Sequence, residues 1–164
     1  RFINALFLVP QGVAAMSPDI EGLVQTSSNI GVVRTIDREL KFSLSVRSSL
    51  SSQKFALRDR IEAAVHSCGG TVSIRGDYPG WAFRKDSPVR ETLSRVYEEQ
   101  TGKKPVITAI HAGLECGLFS EALEGLDCVS IGPELKDIHS VGEKLGISSV
   151  ERLYKLVTAF LERI

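Results

Sequence analysis

The sequence predicts two layered units in succession: an antiparallel α+β sheet with helices on one face, then an α/β arrangement. Three observations carry this. Phe42, Leu44 and Val46 alternate with serines and Arg47 in "KFSLSVRSS", the period of a strand with one buried face. A helical spacing follows, with Phe55, Leu57, Ile61, Ala64 and Val65 at roughly helical intervals. The pattern then changes at Asp86-Ser87-Pro88, beyond which helical and apolar strand-like runs alternate, as in a parallel sheet with helical connections. The boundary falls at about residues 80–87, giving domains of 1–83 and 84–164.

Taken in order, "RFINALFLV" (1–9) reads as the end of a helix stopped by Pro10 and Gly12. "EGLVQTSSNIGVVRTI" and "KFSLSVRSS" are strands joined by the polar turn Asp37-Arg38-Glu39, hence a hairpin. "SSQKFALRDRIEAAVHSCGG" begins with serine N-cap candidates and ends at Gly69-Gly70. "TVSIRGDYPGWAF" is expected to be a further strand. A helix begins at Ser87-Pro88, carries Val89, Leu93, Val96 and Tyr97 on one face, and ends at Gly102. Strand 105–110, a glycine turn, helix 118–124 and strand "DCVSIGP" follow. "SVERLYKLVTAFLERI" closes the chain with an apolar stripe of Val150, Leu153, Leu156, Val157, Phe160 and Leu161.

The totals exclude several classes. A 164-residue chain with 43% hydrophobic residues can fill a core, and its formal net charge of zero offers no bulk field for nucleic acid or an anionic membrane. The segment "FINALFLV" is too short to span a bilayer and lacks a signal-peptide cleavage site. Cys68, Cys116 and Cys128 are odd in number and form no CxxC, so reduced cytoplasmic thiols are expected.

Candidate chemistry sits in a few places. "TAIHAGLECGLF" (108–119) reads as strand, glycine turn, helix, and ligands of open α/β sheets bind beyond such strand ends. It fits equally a tight connection with His111 and Glu115 solvated. His139 lies in a loop beyond another strand, with Glu143 four residues on, close enough to orient an imidazole as metal-bound histidines require; a solvated loop histidine fits too. Alternation places Arg47 opposite Phe42, Leu44 and Val46, where its guanidinium can clamp a carboxylate. Asn29 puts an amide in a strand, suited to polarising a carbonyl. Either could be plain surface. Glu98-Glu99 fall on the solvated side of their helix, and His66 complements a helix C-terminus.

"AIHAGLECGLF", "SIGPELKDIHS", "GDYPGW" and "MSPDIEGLVQTSSNIGVV", in one chain, resemble the aminoacyl-histidine dipeptidases. These are cytosolic non-specific, carnosinase-like enzymes of the zinc peptidase superfamily that includes succinyl-diaminopimelate desuccinylase. The resemblance implies an α/β catalytic domain with two zinc ions and an inserted ferredoxin-like lid that mediates homodimerisation. Residues 1–83 then correspond to the later part of the lid, and 84–164 to the C-terminal part of the catalytic domain. His139 matches the last metal-ligand histidine, with Glu143 beside it. Asn29 and Arg47 match lid positions that hold the scissile carbonyl and the substrate carboxylate, and His111, Gly113 and Glu115 match a wall of the cleft.

The family's other ligands and its general-base glutamate belong to the N-terminal half, and none of the three histidines here is followed by x-Asp. No catalytic residue is therefore expected in this chain. "HSVGEK" also stands where the family carries "HSPDEK", which leaves the His139 loop less constrained. The implied protein is a cytoplasmic zinc dipeptidase acting on Xaa-His and other dipeptides, partnered by its missing N-terminal half, and this chain alone is expected to be inactive. Two other classes stay open: a non-catalytic peptide or amino-acid binding module, and a dimerisation piece without a ligand.

Overall fold

The computed structural model describes residues 2–111 and 113–164. Its contacts divide the chain into two units, one of residues up to Phe83 with Thr108–Glu124, the other of Arg84–Ile107 with Gly125–Ile164.

In the first unit, helix α1 (Phe2–Leu8) leads through Pro10 into strands β1 (Gly12–Met16), β2 (Val24–Ile36) and β3 (Glu39–Ser48), antiparallel in the order β1-β2-β3. The expected hairpin is present, with a tighter turn than the sequence indicated. Asp37 and Arg38 alone make it, both at positive φ (48° and 69°), so Glu39 already pairs with Ile36. Two left-handed residues give the turn whose twist matches that of the flanking strands. Strand β1 was not legible, because "GVAAM" is short and lacks alternation.

Helix α2 (Ser51–Ser67) follows β3 almost directly. The expected serine cap is absent: Leu50 holds the N-cap position, and Ser51 and Ser52 are already helical. The serine at work is Ser48, whose hydroxyl accepts the Leu50 N–H (3.1 Å) and meets Thr26 Oγ1 at 2.9 Å. At the other end Gly70 N–H donates to the Val65 carbonyl and Gly69 N–H to that of His66, the paired closure of a Schellman turn. Val9, Leu57, Ile61 and Val65 form the buried core, with Ile30, Phe42, Leu44, Val46 and Val72 packed against it. Leu44 and Val46 thus face α2, and Arg47 lies on the exposed face.

The second unit has helix α3 (Pro88–Thr101) and helix α5 (Ile147–Leu161) packed together, with Leu93 and Val96 buried. As read from sequence, Ser87 caps α3, accepting Arg90 N–H, and Pro88 opens it. Asp127 reinforces the cap: one carboxylate oxygen accepts the Ser87 hydroxyl (2.8 Å) and the other Val89 N–H (3.0 Å). Strands β4 (Leu135–Lys136) and β5 (Lys144–Leu145) make a small ladder around the His139 loop. Helix α4 (Glu115–Ala122), in the first unit, begins earlier than expected.

Three expected strands carry no ladder. Residues 71–83, 105–110 and 127–133 are without strand pairing. Their sequences suit strands, but a strand exists only against a hydrogen-bonded neighbour, and none of the described strands pairs with them. The described ladders are all antiparallel, not parallel as expected for the second part.

Candidate functional site

The exposed face of the β2–β3 hairpin gathers the polar side chains. Ser27 pairs directly with Arg47 across the ladder, and Asn29 with Ser45. Ser27 and Asn29, two residues apart, share a face at a separation of ~7 Å. Onto this face comes His111, 84 residues from Ser27 in sequence. Its Nε2 lies 2.7 Å from Ser27 Oγ, and its carbonyl oxygen accepts a hydrogen bond from Arg47 Nη1 at 3.1 Å. The structure therefore brings Arg47 and His111 together and adds Ser27.

Electrostatics sets the state of this cluster. His111 is half-buried, and its pKa is lowered, first by desolvation and second by the Arg47 charge. The imidazole is held neutral near pH 7, with one ring nitrogen a donor and the other an acceptor. Arg47 spends one nitrogen on the His111 carbonyl, and the rest of its fork can meet a carboxylate bidentately.

The loop carrying His111 rests on a frame built from α2. Lys54, nearly buried, donates to Asp77 Oδ1 (2.5 Å) and to the Tyr78 carbonyl (2.6 Å). The Tyr78 ring then lies against Gly113, where an added Cβ would fall 2.6 Å from ring carbon Cε2. Only glycine admits that approach, so "GDYPGW" and "HAGLECG" are packed on each other. Ala112, in the middle of the second motif, lies outside the described residues. Glu115 is exposed on the first turn of α4, where its charge complements the helix N-terminus.

His139 is in the second unit. Its φ is +66°, in the left-handed region, as is that of Asp137 at +53°. Glu143 meets it differently from expectation: its Oε2 accepts the backbone N–H of His139 at 2.9 Å, so it shapes the loop rather than aiming the imidazole. Ser140 completes the turn, its N–H (3.1 Å) and hydroxyl (2.7 Å) both donating to the Asp137 carbonyl. Glu99 is taken by an ion pair with Arg163 (2.6 Å), in keeping with a solvated helix face.

The residues described do not build a metal site by themselves. Zinc takes three or four protein ligands, and among the described residues no three His, Cys, Asp or Glu side chains are so grouped. Sequence reasoning missed Ser27, Lys54 and Tyr78. Ser27 was findable as the face-mate of Asn29 and Arg47, whereas the Lys54 contacts have no local signature.

Comparison with known proteins places these features in a class. The fold matches that of peptidases: the chain superposes on the aminoacylhistidine dipeptidase of Vibrio alginolyticus with a TM-score of 0.88 and 38% identity, covering 99% of this chain and 33% of that one. The aminopeptidase PepT of Bacillus cereus ATCC 10987 shares the fold at a TM-score of 0.72 and 20% identity, over 98% of this chain and 43% of its own. More particularly, the chain is a homologue of the cytosol non-specific dipeptidase of Escherichia coli (strain K12), 36% identical over 163 residues, which are 99% of this chain and 34% of that protein. The succinyl-diaminopimelate desuccinylase of Helicobacter hepaticus is 22% identical over 92% of this chain and 38% of its own length. No protein-family model matches. The chain spans about a third of the length of the dipeptidases it matches. Among the described residues no helix is long and apolar enough to cross a membrane.

Proposed function

We propose that the whole protein hydrolyses dipeptides, Xaa-His among them, and that this chain supplies substrate recognition and one metal ligand. The observation that carries the reading is the convergence of Arg47, His111 and Ser27 on the exposed hairpin face. A dipeptide presents both its free amine and its free carboxylate beside the one scissile bond, and a guanidinium beside a neutral imidazole recognises the carboxylate end. Asn29, farther along the same face, is placed to donate to the carbonyl oxygen. The homology to dipeptidases supports the same reading.

His139 is this chain's proposed contribution to a two-zinc centre whose other ligands, with the general base, lie in the N-terminal half. We assign residues 1–83 to a lid that pairs in a homodimer and 84–164 to the catalytic domain, in a cytoplasmic enzyme. The 164-residue chain alone is inactive in this reading. Turnover of a Xaa-His dipeptide by the purified chain would overturn it.

In the whole protein, Arg47→Lys loses the bidentate contact and weakens dipeptide binding by about 1.5–3 kcal/mol, seen as a raised KM with folding and metal content unchanged. A dipeptide with an amidated C-terminus is the control. Equal damage to cleavage of the amide and of the free acid would remove Arg47 from the carboxylate site.

A further inference from the structure

Lys54 occupies a position of α2 that the helix pattern gives to an apolar side chain. It precedes Leu57, Ile61 and Val65 on one helical face, and all four are buried. A leucine or methionine there would suit the core. A charge taken from water is offset only by well-made contacts, and gains little over an apolar side chain of similar size. The contacts are present: the ammonium donates to Asp77 Oδ1 at 2.5 Å and to the Tyr78 carbonyl at 2.6 Å. The lysine side chain is 11% exposed and that of Asp77 55%, so the cation reaches outward from the core to hold a surface segment. No described ladder holds residues 77 and 78, and Lys54 fixes their backbone in its place.

What the held segment supports, within the same first unit, is the His111 loop. The Tyr78 ring is the surface against which Gly113 rests, an added Cβ meeting Cε2 at 2.6 Å and Cζ at 2.9 Å. Gly117, in the first turn of α4, lies against the Pro79 carbonyl, 3.2 Å from an added Cβ. Gly80 closes the other side, its added Cβ 2.5 Å from the Ser49 carbonyl oxygen, just past the end of β3. Residues 77–80 are thus wedged between the end of β3 and the turn that carries His111. Gly113 is two residues from His111, whose Nε2 and carbonyl oxygen meet Ser27 and Arg47. A displaced Tyr78 ring moves both contacts.

We propose that Lys54 is a positioning residue for the carboxylate end of the substrate: by gripping Asp77 and the Tyr78 carbonyl it sets the Tyr78 ring as the seat of Gly113, and through that seat it holds His111 against Ser27 and Arg47. The part that concerns substrate rests on the dipeptidase reading above; the placement of His111 does not. The lysine acts from α2, through Tyr78, and its charge serves geometry where an apolar residue would serve stability.

Lys54→Met tests this, because it keeps the length of the stem and removes only the donors. Asp77, more than half exposed, returns to water, so the melting temperature of the 164-residue chain should hold. In that chain the ring protons of His111, identified by their loss in His111→Gln, report on the loop by NMR. Burial and the Arg47 charge hold the wild-type titration below the usual histidine range. In Lys54→Met it should move up toward about 6.5, as the ring leaves both. In the whole protein the same variant should raise KM for a free-acid dipeptide about tenfold, with kcat within about twofold and KM for the C-terminal amide nearly unchanged. Tyr78→Leu, at a residue 42% exposed, should give the same pattern. An unshifted His111 in either variant would overturn the proposal. So would a Lys54→Met chain that no longer folds, because the lysine would then hold the whole unit. A shifted His111 with an unchanged KM would support the placement of the loop and overturn instead the carboxylate reading of this face.

Discussion

The β2–β3 hairpin and the apolar runs of the second unit have similar strand character in sequence and opposite fates. In β3 every second residue is apolar, that face meets α2, and the ladder with β2 closes within the chain. Val106, Ile107 and Ile131 come from runs with little alternation, which suit strands buried on both faces and flanked on both edges. They find no ladder, and Val106 stands 90% exposed. Alternation describes a strand that needs one covered face; an unbroken apolar run describes one that needs neighbours all round. The first is satisfied locally, and the second only by more chain.

The largest expected effect breaks this contrast if it fails. Ile61→Ala, in the core under the hairpin, costs about 2–5 kcal/mol, whereas Val106→Ala in the 164-residue chain stays within about 0.5 kcal/mol. Urea midpoints of the two variants decide it. Comparable losses would mean that Val106 is covered in solution. Smaller is Ser87→Ala, which removes a helix cap of the second unit and costs about 1 kcal/mol. Helix content after mild heating reads it directly.

Comparable in size and of opposite sign is His139→Gly. A non-glycine residue in the left-handed region costs about 1–2 kcal/mol, so glycine should raise the melting temperature of the second unit. A drop would show that the imidazole stabilises the loop. The smallest effect concerns pH. The folded His111 binds its proton less readily than the unfolded chain does, so its contribution is full above an ordinary histidine pKa of about 6.5 and is lost as pH falls below it. The wild type should lose melting temperature relative to His111→Gln between pH 7 and 5. A constant difference across that range would contradict the lowered pKa.

Legibility followed the range of the interactions. The hairpin, the Ser87-Pro88 helix start and the closing helix were readable because alternation, capping and helical spacing are local. The same locality placed Arg47 on the exposed strand face. Other features were set by partners far along the chain. Ser27 found His111, 84 residues on, only through the fold. Glu143 at four residues from His139 was close in sequence, yet the left-handed turn gave its carboxylate the backbone amide.

The carboxylate of Asp127 has a consequence for the order of events during synthesis. It binds Val89, 38 residues earlier, so the ribosome makes all of α3 well before the group that completes its cap. At ordinary elongation rates of about 5–20 residues per second that interval lasts about 2–8 s. For those seconds α3 depends on Ser87 and Pro88 alone, a nascent helix held at its start by one hydroxyl. The second unit cannot finish until residue 127 has emerged, so it matures after translation has passed the whole of the His111 loop.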